Sequence, residues 1–156
     1  MKNLTAFALT SALALSTFTL QAQTNEAGCN VQHNQATCNW TAFRKVLDDA
    51  KTVKADYRER DKATGAQLKE LAQKLGKTLA QDGATPDLTF TVIPAASTGI
   101  DVSSADKEIL ELHVYAGDSS QEKLIWVETY VGQKDRPWPA NVHSTISQFM
   151  GRLKKG

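Results

Sequence analysis

Two periods run through the hydrophobic and polar positions of this chain. A spacing of three to four residues gathers side chains on one face of a helix, and strict alternation gathers them on one face of a strand. From residue 40, WTAFRKVLDDA sets Trp40, Phe43, Leu47 and Ala50 at helical spacing, with Asn39 as N-cap. In KTVKADY, residues 51–57, Val53 and Tyr57 could prolong that helix. They also alternate, with Ala55, against Thr52, Lys54 and Asp56, as a half-buried strand would, and the break at RERDKATG that follows tips the reading to a strand. AQLKELAQKLGKTLA carries the helical stripe Leu68, Leu71, Ala72, Leu75 and Leu79, ended by Asp82 and a capping Gly83. Pro86-Asp87 opens the strand LTFTVI, and residues 94–105 form a loop of small residues. EILELHVYA and KLIWVETYV, joined by a Gly-Asp-Ser-Ser turn, predict a hairpin. Val142, Ile146, Phe149, Met150 and Leu153 make a last helical stripe, with Lys154 and Lys155 at the end where the helix dipole favours cations.

The predicted order is helix, strand, helix, strand, strand, strand, helix. The fold class is α+β: a two-layer sandwich of a mixed four-stranded sheet with helices packed on one face. The helix between the first two strands makes them parallel neighbours through a right-handed crossover. The last two strands are antiparallel. Between the last strand and the last helix lies DRPWPAN, residues 135–141. Proline suits the first position of a helix, so the stretch reads as a joint in which Trp138 folds back on the helix or on the sheet end.

The N-terminus changes the picture of where this domain resides. Lys2 precedes the uncharged, largely apolar run LTAFALTSALALSTFTL, and Leu20-Gln21-Ala22 offers a small residue for cleavage. This is the pattern of a secretory signal peptide. The chain divides into a signal peptide, 1–22, an N-terminal segment, 23–39, and a single α+β domain, 40–156. After signal removal no integral membrane segment remains. Ala27-Gly28-Cys29 has only a faint likeness to a lipidation box, since Glu26 stands where an aliphatic residue belongs. The two cysteines, Cys29 and Cys38, form a close, even pair in an exported chain, which predicts a disulfide stapling residues 23–39. The rival reading, a metal site from Cys29, His33 and Cys38, lacks a fourth ligand and the usual spacings. The location is periplasmic or secreted. The formal charge is +1, and Lys2 supplies it, so no basic excess invites nucleic acid.

Three stretches, Ala50 to Val53, Pro86 to Val92 and Lys123 to Val127, resemble small exported bacterial proteins of unknown function, a group of periplasmic or lipoprotein-like α+β domains. The likeness covers roughly residues 45–153. It implies an envelope location and the fold above. It carries over no catalytic residue. The chain departs from the group in its Cys29–Cys38 pair.

No nucleophile elbow, phosphate loop, zinc-protease helix or Cys-x-x-Cys motif is present, and no cofactor or metal is implied. Unbroken alternation along the hairpin would set Ile109, Glu111, His113 and Tyr115 on one face with Leu124, Trp126, Glu128 and Tyr130. Of the two registers this allows, the one that keeps Glu111 from facing Glu128 avoids opposed like charges. His113, Tyr115, Trp126, Glu128 and Tyr130, with Trp138, then form a candidate binding face for an envelope protein, a glycan or a second copy of the chain. Two other readings stand beside it. In one, the helix bearing Trp40, Phe43 and Leu47 buries this face. In the other, an envelope hydrolase uses Glu111, Glu128 and His113 as acid and base. The absence of catalytic motifs favours a non-catalytic binding or structural module.

Overall fold

The computed structural model describes residues 26–32, 35–59, 61–95, 106–119 and 123–156. The signal-peptide stretch, His33 and most of the loop at 94–105 lie outside the described residues. The described residues form ten elements in order: β1 (Cys29–Gln32), β2 (Gln35–Cys38), α1 (Trp40–Asp49), β3 (Thr52–Asp56), α2 (Lys62–Lys74), β4 (Thr78–Leu79), β5 (Leu88–Pro94), β6 (Lys107–Ala116), β7 (Lys123–Gln133) and α3 (Trp138–Lys155). The fold is mixed α+β, with a sheet ordered β4-β3-β5-β6-β7 and a separate β1-β2 pair.

Residues 51–57 resolve in favour of the strand, and β3 pairs parallel with β5 across the α2 crossover. The start of this parallel pair is tied by Asp87. Its carboxylate accepts hydrogen bonds from the Lys51 and Thr52 amides at 2.8 Å each, while its own amide donates to the Thr52 hydroxyl at 3.0 Å. These donors, the Thr52 amide foremost, hold the Asp87 carboxyl below its ordinary pKa.

Two elements depart from the periodic reading. Within the 23–39 segment, β1 and β2 pair antiparallel, and the Cys29–Cys38 disulfide joins directly paired positions of the two strands. The Leu-rich helix stops at Lys74 instead of running to Asp82. Gly76 takes φ +69, the Lys77 amide donates to Ala72 O, and the Gly76 amide donates to Gln73 O. That is a helix-ending motif which needs a left-handed residue, and glycine adopts one without strain. The freed chain continues as β4, so Leu79 lies on the edge of the sheet, giving it a fifth strand.

The core sits between one sheet face and helices α1, α2 and α3. Val53, Leu88, Phe90, Val92, Leu110, Leu112 and Val114 meet Phe43, Leu47, Leu68, Leu71, Val142, Ile146 and Phe149. Helix starts are fixed by side chains: Asn39 accepts from the Ala42 amide at 3.1 Å, and Asp61 from the Thr64 amide at 3.2 Å. Trp138 is the first residue of α3, and its indole N–H donates to Asp61 Oδ2 (2.8 Å) and Thr64 Oγ1 (3.0 Å). DRPWPAN is therefore a joint whose tryptophan pins the start of α3 to the start of α2.

Candidate functional site

The hairpin does not gather the expected face. Glu111 pairs with Thr129, Leu112 with Glu128 and Val114 with Trp126, so neither expected register forms. Directly paired residues share a face. Trp126, Glu128 and Tyr130 thus stand with Leu110, Leu112 and Val114 on the helix side, while Glu111, His113 and Tyr115 stand on the other. The cause is a bulge. The register shifts between Val114 and Tyr115, leaving Ile125 as the extra residue between Trp126 and Leu124. Leu124 does pair with Tyr115, as unbroken alternation requires, but beyond Ile125 every side chain of β7 is turned over. Glu111 and Glu128 lie on opposite faces of the sheet, so they form no acid–base pair. Trp138 belongs to neither group, and Tyr130 is half-buried opposite Leu110.

On the helix side, α1 covers Trp126, which is 8% exposed. Phe43 stacks on the indole at 5.0 Å and 22°, and Trp40 meets it edge-on at 4.8 Å. Where α1, β7 and the end of α3 converge, an open groove of about 530 Å³ forms, lined by Trp40, Trp126, Gln148, Gly151, Arg152, Lys155 and Gly156. Its size falls in the usual range for small-molecule sites.

One buried carboxylate arranges this groove. Glu128 is 1% exposed. It accepts from Arg152 Nε at 2.8 Å and Nη2 at 3.2 Å, from Gln148 Nε2 at 2.6 Å and from Trp126 Nε1 at 3.3 Å. A fork-shaped guanidinium held by two bonds to one carboxylate is fixed in orientation as well as position. Arg152 then lies 5.8 Å over the Trp126 ring. All three donor residues line the groove, and the acceptor sits beneath them.

The opposite face holds a different chain of contacts. His113 Nε2 lies 2.8 Å from Glu111 Oε2, and His113 Nδ1 lies 3.1 Å from the Tyr115 hydroxyl. His113 and Glu111 are 6% and 4% exposed, whereas Tyr115 is half-buried. Three alternate residues of one strand therefore form a line of carboxylate, imidazole and phenol. The His113 ring thus bridges the carboxylate and the phenol, one ring nitrogen to each.

Sequence reasoning placed Trp126 and Glu128 among the candidates but missed Trp40 as a groove wall, along with Gln148, Arg152 and Lys155. A signal was available. Residues 148, 152 and 155 are spaced i, i+4, i+7, a polar stripe along the outer face of the last helix. Among the described residues no group of three or more His, Cys, Asp or Glu could hold a metal, and no helix is long and apolar enough to cross a membrane. Compared with protein-family models, with curated proteins and with solved structures, the chain matches none of them.

Proposed function

We propose that this is a small exported envelope protein, released by signal cleavage after Ala22, that acts as a non-catalytic binding module through the groove between α1, β7 and α3. The disulfide supports an oxidising compartment, the periplasm or the exterior. The observation that carries the binding reading is Glu128. A buried carboxylate that fixes three neighbouring groove residues lowers the ordering cost a ligand would meet. The same observation argues against Glu128 as an acid or base. Four donors already engage it, so a substrate proton would find no vacant lone pair.

The test is a thermal-shift screen of the purified protein against envelope metabolites, glycan fragments and peptides. A ligand that raises Tm, and stops doing so in Trp40→Ala while that variant still melts cooperatively, supports the reading. Ligands whose effect survives Trp40→Ala would place binding elsewhere.

A second reading has one observation behind it, the Glu111–His113–Tyr115 line. It is the hydrolase reading moved to a single face, with His113 as base, Glu111 as its orienting carboxylate and the Tyr115 phenol as the group that reacts. Turnover on a hydrolase panel that disappears in both His113→Gln and Tyr115→Phe would establish it and remove the non-catalytic reading.

A further inference from the structure

We infer that the outward side of the helix layer docks on an anionic lipid surface. The inference rests on export and is independent of any ligand in the groove. Three observations carry it.

The first is a charge asymmetry that the sequence total hides. Residues 23–156 carry no net formal charge, since Lys2 supplies the +1 of the chain. Within them, helices α1, α2 and α3 hold eight Lys and Arg against three Asp and Glu, a balance of +5. All other residues of 23–156 hold nine against fourteen, a balance of −5. A carboxylate at Gly156, the C-cap of α3, would leave the helix layer at +4. The helices lie on one side of the sheet, so the molecule is an electric dipole with its helix side positive. A negatively charged surface attracts such a molecule and turns it helix side first.

The second is how little of that charge is cancelled by carboxylates. Lys62, Lys69, Lys74 and Lys154 are exposed. Of the three helix carboxylates, Glu70 pairs with Lys74 at 2.7 Å and Asp48 lies 4.0 Å from Arg44. Among the described residues, no carboxylate lies within ion-pair distance of Lys62, Lys69, Lys77 or Lys154. Lys77 instead donates to the Asp48 and Ala50 carbonyls at the end of α1, and Arg44 to the Leu153 carbonyl near the end of α3. The negative ends of those helices offset part of the two charges, but they leave Lys62, Lys69 and Lys154 uncompensated.

The third is what lies among the cations. At the junction of the helices, Arg44, Lys77 and Lys154 line a shallow hollow of about 140 Å³, with Asp48 as its one acid. Its other lining is apolar: Leu47, Leu75, Met150 and Leu153. All of these but Leu47 are only half-buried. Cations set around partly exposed apolar side chains suit a bilayer interface, which offers anionic headgroups and acyl chains together. A hydrated polyanion such as DNA would meet the cations and leave the apolar side chains in water.

The experiment is co-sedimentation of the purified exported protein with vesicles at low ionic strength. One set is phosphatidylcholine alone, and the other is an equal mixture of phosphatidylcholine and phosphatidylglycerol. The anionic vesicles should bind at least about tenfold more tightly than the neutral ones, a preference that fades as salt is added. Two triple variants then make the same charge change in different places. Lys69→Glu with Lys74→Glu and Lys154→Glu reverses exposed lysines of the helix layer, and Lys107→Glu with Lys123→Glu and Lys134→Glu reverses exposed lysines outside it. The helix triple should weaken binding to anionic vesicles by about a hundredfold, and the other by less than about tenfold. Lys154→Glu alone breaks no ion pair and should weaken it by about fivefold, so the face stays testable even where the helix triple loses stability. No preference for anionic vesicles, or an equal loss in the two triples, would overturn the inference. Equally tight binding of a DNA duplex, lost in the same helix triple, would assign the layer to a polyanion and overturn the lipid surface. The groove is judged by its own ligand screen, so the two readings fail separately.

Discussion

Two buried carboxylates show how differently single residues can be held. Glu128 meets only donors, so Glu128→Gln keeps the volume but turns an amide NH₂ toward Arg152 or Gln148. The expected cost is about 1–3 kcal/mol in urea unfolding, the range for a buried polar group left without a proper partner. Affinity for a ligand of the groove should fall with it, because Arg152 loses its orientation. Glu111 has the more fragile arrangement, since His113 is its one described polar partner at 2.8 Å. His113→Leu would leave that carboxylate buried and unpaired, with an expected loss of about 3–5 kcal/mol. A loss below about 1 kcal/mol would show that the carboxylate finds water or another donor. At this scale the sequence was half legible. The alternation E-L-H-V-Y does line up Glu111, His113 and Tyr115, and all three share a face as expected. Trp126 and Glu128 were assigned to the wrong face because a bulge leaves no local sign in K-L-I-W-V-E: the extra residue, Ile125, is as apolar as the strand around it.

Elements were legible wherever the period of the pattern decides, and their ends were not. The three helical stripes come from spacing, the β6–β7 hairpin from alternation and the turn between its strands, and β3 only with help from the break after Tyr57, since Val53 and Tyr57 fit a helix as well. The end of α2 does not, because Leu75 and Leu79 continue its stripe past the Gly76 turn. The pattern carries the burial preference, while the backbone conformation at one glycine decides where the helix stops. β1, β2 and β4 escaped notice for a related reason: they are short, polar or at an edge, and carry little alternation. The joint between β3 and β5 yields a prediction of its own. Because the folded-state pKa of Asp87 is depressed, its ionised form contributes stability above the ordinary carboxylate value, about 3.9. That contribution is lost as pH falls through the lower folded-state value. Thermal melts of the wild type and Asp87→Asn should therefore differ at about pH 6 and converge as the pH falls below the folded-state pKa. A difference that stays constant with pH would mean that the ionised carboxylate is not what ties the two strand starts.

For the whole molecule, the question is what the stapled β1–β2 pair contributes to a core it barely enters. Ala27 joins that core, Cys38 packs against it, and Glu26 pairs with Lys123 of β7 at 3.6 Å. The ion pair is exposed and contributes little. The covalent link matters more through the residues next to it in the chain. Cys38 is joined by Asn39, the N-cap of α1, to Trp40, the groove wall, so the staple fixes the point from which α1 starts. The chain-entropy account of a short loop gives about 2–3 kcal/mol for closing residues 29 to 38. A paired change, Cys29→Ser with Cys38→Ser, should lower stability by that amount in urea, and reduction of the wild type should match it. Because the staple lies directly before α1, ligand affinity should fall in the same variant even where it remains folded. The measurement that separates the two effects is a titration at a temperature well below both melting points. Weakened binding there would show that the stapled pair positions Trp40, and unchanged binding would reduce it to a source of stability alone.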